Sequence, residues 1–172
     1  ESQSSQGVKE TVKPSSFLFA STGVIGEKFP EEKIKDSIQN LVDRLKPNQN
    51  KLIWLKVASA IMTTDTKPKL AYDEFKIGNK TIKIAGIAKG SGMIAPNLAT
   101  MLSFIFTNVD ISSNILKRIL KKVLVNTFNA ITVDNDTSTN DTVAVFSTKK
   151  IKVNSLNSIS DPDMKKFEDA LK

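Results

Sequence analysis

Thr100 is the residue whose type and setting point most directly to chemistry. It follows Lys89-Gly90-Ser91-Gly92-Met93-Ile94-Ala95-Pro96-Asn97-Leu98-Ala99 and leads into the apolar run 101–106. Gly90 and Gly92 let backbone approach closely, and Pro96 fixes a turn. A hydroxyl at this junction can attack the carbonyl of Ala99, cut the chain between Ala99 and Thr100, and remain as an N-terminal nucleophile. The freed α-amine, with a reference pKa of about 7.7–8.0, can then serve as base for its own hydroxyl. The plainer alternative is a β-branched residue at the mouth of a strand.

The absence of two residue types sharpens this reading. The chain has neither cysteine nor histidine, which excludes disulfides, Cys nucleophiles, zinc-finger spacings and Ser-His-Asp arrangements within it. Catalysis here must use hydroxyls, amines, carboxylates and backbone amides. An acyl-transferring threonine also needs donors for a tetrahedral oxyanion. The segment Ser21-Thr22-Gly23-Val24-Ile25-Gly26 offers a hydroxyl and a backbone N–H on a turn, or else is an ordinary strand-to-helix loop.

Two other segments admit several chemistries. Residues 134–141 (DNDTSTND) have the Asp-x-Asp spacing of a calcium loop, but Thr139 replaces the required glycine and Val145 the terminal glutamate. The same Asp134 and Asp136 suit a magnesium-dependent phosphotransferase with an aspartyl nucleophile, and a self-hydrogen-bonded loop of Asx and Ser/Thr turns is the third reading. Lys89 beside glycines suggests a phosphate cradle only weakly, because it precedes Gly90-Ser91-Gly92 where a P-loop lysine follows the last glycine.

Composition bounds the rest. At 172 residues, 40% hydrophobic and 25% charged, the chain suits one globular domain. The polar N-terminus and the lack of a long apolar run lead us to expect a cytoplasmic protein without a membrane segment. The net charge of +7 raises a non-catalytic basic binding module as an alternative. However, the lysines are scattered apart from Lys117, Arg118, Lys121 and Lys122, and aromatics for base stacking are few. No nucleic-acid partner is expected.

The elements that must position these residues follow from periodicity and turn signals. Phe17-Leu18-Phe19-Ala20 reads as a buried strand. Ile34, Ile38, Leu41, Val42 and Leu45 define a helix over 31–46, and a second spans about 51–62 with Leu52, Leu55, Ala58, Ser59 and Met62 on one side. Strands over 70–77 and 80–88 are joined by a Gly78-Asn79 hairpin turn. A buried strand begins at Met101, and a helix capped by Ser112 or Ser113 reaches about residue 127. Short strands follow at 130–133 and 142–148, then a terminal helix over about 162–171 after Asp161-Pro162. Hairpins mixed with long helices predict an α+β fold rather than strict βαβ alternation.

Four segments taken together resemble the glutamate N-acetyltransferase/ornithine acetyltransferase family of arginine biosynthesis. In that family's order they are 21–26 (STGVIG), 60–69 (AIMTTDTKPK), 88–102 (AKGSGMIAPNLATML) and 132–142 (TVDNDTSTNDT). The likeness covers about residues 17–148, and the third motif is long and specific.

The resemblance implies an enzyme that cleaves itself at Ala99-Thr100. It then carries acetyl from N2-acetylornithine to glutamate on the Thr100 hydroxyl, with no cofactor and no metal. Thr22 and Gly23 match the family's oxyanion-hole positions, and Thr63, Lys89 and Thr100 its substrate-contacting positions. The implied fold is an α/β/β/α sandwich of N-terminal-nucleophile type. The implied partners are the remaining segments of the same precursor, assembled as cleaved chains into a multimer.

Asn135 stands where that family usually has glycine, and Asn108 where aspartate is common. The chain corresponds to the middle of the family protein, so the isolated piece is expected to lack transferase activity.

Overall fold

The computed structural model describes residues 13–23, 26–45, 52–91, 100–131 and 138–172. Its centre is a β-hairpin. Strand β1 (Lys69–Ile77) pairs antiparallel with β2 (Lys80–Lys89), Ile77 opposite Lys80 and Lys69 opposite Ala88. Gly78 takes φ +58 in the connecting two-residue turn, a conformation open to glycine at little steric cost. The hairpin expected from Gly78-Asn79 is therefore present.

Strand β3 (Leu102–Asp110) continues the sheet antiparallel to β2, with Lys89 opposite Leu102. Helix α3 (Ser113–Leu124) then leads over to β4 (Thr142–Lys152), which pairs parallel to β3 and completes the order β1-β2-β3-β4. The fold is α+β as expected. The β3–α3–β4 crossover is nevertheless a βαβ connection, because a parallel neighbour requires a long return path.

The register sorts the strand residues onto two faces. Ile82 and Ile84 of β2 share one face with Ile105 and Val109 of β3, where α3 and α4 (Pro162–Leu171) supply Leu116, Ile119, Val123, Met164, Phe167 and Leu171. Phe75 meets Phe167 edge-on at 6.4 Å. Leu116, Ile119 and Val123 recur at helical spacing, so α3 buries one stripe. Ser112 Oγ accepts the Ile115 N–H, and Lys121 and Lys122 lie in the last turn, where cations suit the helix dipole. Helix α4 starts as expected, with Asp161 Oδ1 accepting the Asp163 N–H at 2.9 Å and Pro162 in the first turn. Lys122 Nζ reaches Glu168 Oε2 at 2.6 Å and joins α3 to α4.

Helix α2 (Leu52–Ala60) lies on the opposite face, where Trp54 meets Phe106 edge-on at 5.5 Å and Phe106 stacks on Phe146 at 5.2 Å. Its buried side differs from the expected one: Ala58 is buried and Trp54 half-buried, whereas Leu52, Leu55 and Ser59 are exposed. The choice of stripe is set by the aromatic contact with β3, which lies far along the chain.

One further expectation is corrected, one is met without the burial its spacing suggests, and one falls partly outside the described residues. Phe17, Leu18 and Phe19 form no strand and are 57%, 78% and 85% exposed, since an apolar run becomes a strand only where another strand pairs with it. Helix α1 (Glu31–Asp43) has the expected amphipathic spacing, but Ile34, Ile38, Leu41 and Val42 are all exposed. At 128–130 the chain makes a 3₁₀ turn, and residues 132 and 133 of the short strand expected there lie outside the described residues.

Asn108 proves to be a strand surrogate. β2–β3 pairing runs as far as Ile84–Thr107, and the β3–β4 register shifts between Thr107 and Val109. There the Asn108 Oδ1 accepts the Lys83 N–H at 2.9 Å, and its Nδ2 donates to the Thr81 carbonyl at 3.2 Å. An aspartate can accept the first bond but cannot donate the second. Asn108→Asp is expected to cost about 1–3 kcal/mol, read as a lower denaturant midpoint with an unchanged slope.

Candidate functional site

The candidate residues gather where β2 ends and β3 and β4 begin. Lys89 closes β2 and is 1% exposed, and its Nζ has no hydrogen-bond partner among the described residues. Gly90 follows at φ +130, with its backbone pressed on Met101; a Cβ there would stand 3.1 Å from Met101 Cα. Thr100 immediately precedes Met101 and is itself buried, at 6% exposure. Its Oγ1 lies 3.2 Å from Ser138 Oγ.

Two carboxylates brace this junction. Asp141 Oδ1 accepts the Met101 N–H at 2.8 Å and its Oδ2 the Ser138 N–H at 3.4 Å, while the Thr142 N–H reaches the Met101 carbonyl at 3.0 Å. The loop before β4 is thereby tied to the residue after Thr100. On the other side, Asp65 Oδ1 accepts the Gly90 N–H at 2.8 Å and bonds Lys69 Nζ, and Oδ2 accepts the Thr63 N–H at 3.4 Å. Thr64 Oγ1 and Ser91 Oγ are hydrogen-bonded at 2.9 Å.

Of the sequence-predicted residues, Thr63, Lys89 and Thr100 thus meet at one end of the sheet. Thr63 is exposed, linked to the Lys89–Gly90 turn through Asp65. Thr22 and Gly23 are not joined to them. Gly23 has nothing within 4 Å of a Cβ position, and among the described residues neither makes a hydrogen bond to Thr100 or Lys89. Ala99, Asp134, Asn135 and Asp136 lie outside the described residues, as do Val24 and Ile25. Among the described residues no group of three acidic side chains could hold a metal ion, and no helix is long and apolar enough to cross a membrane. The basic cluster lies on the outer side of α3, with Lys122 already engaged by Glu168.

Sequence reasoning missed Asp65, Asp141 and the contact of Ser138 with Thr100. Nothing in TTDTK singles out Asp65, because its partner Gly90 lies 25 residues further along the chain.

The electrostatics follow from burial. Dehydration pushes the Lys89 ammonium below the usual lysine range, while the charges of Asp65 and Asp141 pull it back. Burial alone would raise Asp65; the bonds from Lys69, Gly90 and Thr63, with the Lys69 charge, outweigh it and hold the carboxyl below its ordinary value. Among the described residues the Lys89 ammonium has no hydrogen-bond partner, and an ammonium so placed suits a carboxylate.

A family model described as the ArgJ family matches residues 2–172. The chain belongs to the ArgJ family. It is 52% identical over 143 residues to an arginine biosynthesis bifunctional protein ArgJ of Bartonella quintana, covering 83% of this chain and 34% of the relative. A Bartonella henselae protein of the same name is 47% identical over 94% of this chain and 38% of its own length. A glutamate N-acetyltransferase of Methanocaldococcus jannaschii is 52% identical over 75% of this chain and 32% of its own. The chain therefore spans about a third of the length of the curated ArgJ-family relatives it matches.

Two outcomes follow from the burial of these charges. Lys89→Met removes a buried ammonium that has no hydrogen-bond partner among the described residues, and is expected to raise stability by about 1 kcal/mol or more, seen as a higher denaturant midpoint. Asp65, with its folded pKa depressed, contributes stability in full above the unfolded carboxyl's value of about 3.9, and loses it as pH falls through the lower folded value. Acid titration of Asp65→Asn is expected to show a shallower loss of stability below about pH 4 than the parent.

Proposed function

We propose that the full-length protein carrying this chain is an acetyltransferase. It moves the acetyl group of N2-acetylornithine to glutamate through an acetyl-Thr100 intermediate. The observation that carries the reading is the buried Thr100, its hydroxyl against Ser138, at the end of a sheet that also holds the buried Lys89 ammonium. Membership of the ArgJ family, and the names of relatives at about half identity, support it.

In the first step the Thr100 hydroxyl attacks the Ala99 carbonyl. The C–N bond breaks, the nitrogen takes the proton, and an ester remains on Thr100 until water releases the Ala99 carboxylate. The α-amine left on Thr100 then accepts the hydroxyl proton as the oxygen attacks the acetyl carbonyl of N2-acetylornithine. Ornithine leaves as its nitrogen regains that proton. The glutamate amine attacks the acetyl ester and returns a proton to the Thr100 oxygen.

Thr22 hydroxyl and Gly23 N–H are assigned to the oxyanion at each stage. Lys89 is assigned to a substrate carboxylate, with Thr63 completing the substrate contacts. In this reading Thr22 and Gly23 reach Thr100 when the rest of the precursor is assembled around the chain. The half-covered α2 face, where Leu70 and Tyr72 are exposed and Phe104, Phe106 and Phe146 half-buried, is the seat for the second sheet of an α/β/β/α sandwich. The cleaved chains then remain together in a larger assembly.

Intact mass of the full-length protein tests the central step. Two fragments divided between Ala99 and Thr100 are expected for the parent, and one uncut chain for Thr100→Ala. A single uncut mass for both would remove Thr100 from its nucleophilic role.

A further inference from the structure

Asp65 has no part in the scheme above, yet its side chain is wholly buried and bonded from three sides. The bond to Gly90 matters most, because Gly90 rests directly on Met101. From the far side Asp141 grips the Met101 N–H. The turn bearing Lys89 and the segment bearing Thr100 are thus pressed together between two carboxylates.

Charge adds a second constraint. Among the described residues, the acidic groups acting on Lys89 are Asp65, from the loop between α2 and β1, and Asp141, from the loop before β4. Lys69, at the start of β1, is bonded to the same Asp65 oxygen that holds Gly90. An asparagine at 65 could still accept the Gly90 N–H but would bring no charge. A carboxylate shared in this way does more than close a loop.

We propose that Asp65 is a positioning residue: it holds the Lys89–Gly90 turn on Thr100–Met101 and, divided between Lys69 and Lys89, keeps the Lys89 ammonium charged for a substrate carboxylate. The last clause rests on the acetyltransferase reading; the placement and the charge coupling do not.

The test titrates Lys89 directly, through the NMR shift of its ε-carbon in the full-length protein, with the signal assigned by Lys89→Arg. Asp65→Asn removes a negative charge facing Lys89, so the midpoint shifts to lower pH. Lys69→Met releases the Asp65 charge from its other partner, so the midpoint shifts to higher pH. Opposite shifts support the coupling; midpoints that stay at the parent value, or move in the same direction, overturn it. If Asp65→Asn fails to fold, the Asp65 carboxyl is titrated instead in the parent and in Lys89→Met, an upward shift in the variant supporting the coupling and no shift overturning it.

Acetyl transfer is assayed in parallel. With an active parent, Asp65→Asn is expected to raise KM for glutamate about tenfold, with kcat changing less. Parent protein with no transfer removes the acetyltransferase reading, while the titration still decides the role of Asp65.

Discussion

A carboxylate with no exposed surface persists only where donors replace its lost water. Asp65 makes that demand of separate segments: its own loop through Thr63, the start of β1 through Lys69, and the end of β2 through Gly90. Lys69 pairs with Ala88 across the hairpin, so one buried side chain ties the two strands of the β1–β2 pair together at their open end. The open end of the sheet is thereby fixed as firmly as the end closed by Gly78-Asn79. Lys89 is buried beside this node without a hydrogen-bond partner among the described residues, a placement that costs stability.

The two faces of the sheet are finished to different degrees. Ile82, Ile84, Ile105 and Val109 lie under α3 and α4 in a continuous dry core. Among the described residues, the face carrying Ile87, Lys89, Leu102 and Phe104 has α2 alone, anchored by Trp54 on Phe106. Exposed apolar side chains on α1 and at Phe17, Leu18 and Phe19 show the same incompleteness. This agrees with a chain that spans about a third of its relatives' length.

What the sequence disclosed was local. Gly78-Asn79 announced a hairpin because the turn's geometry depends on two residues, and Ser112 and Asp161-Pro162 announced helix starts for the same reason. Thr100 and Lys89 stood out because their glycine-rich surroundings are unusual in composition. The parallel pairing of β3 with β4 was not legible, since nothing within either strand names its neighbour. Phe17-Leu18-Phe19-Ala20 misled for a related reason: apolarity shows that a segment can be buried, not that a partner is present. Asp65 hid among the hydroxyls of 63–66 because its importance comes from an amide N–H 25 residues away. The inward side of α2 was chosen by Phe106, beyond the reach of helical periodicity.

The crossover from β3 through α3 to β4 has a consequence for order in time. Ser138 and Asp141 lie 38 and 40 residues beyond their partners Thr100 and Met101. They arrive only once α3 has formed and β4 has docked, after the entropy of closing that long loop has been met. The surroundings of Thr100 are therefore built from distant sequence: a chain that stops before residue 138 has neither Ser138 against the Thr100 hydroxyl nor Asp141 on the Met101 N–H.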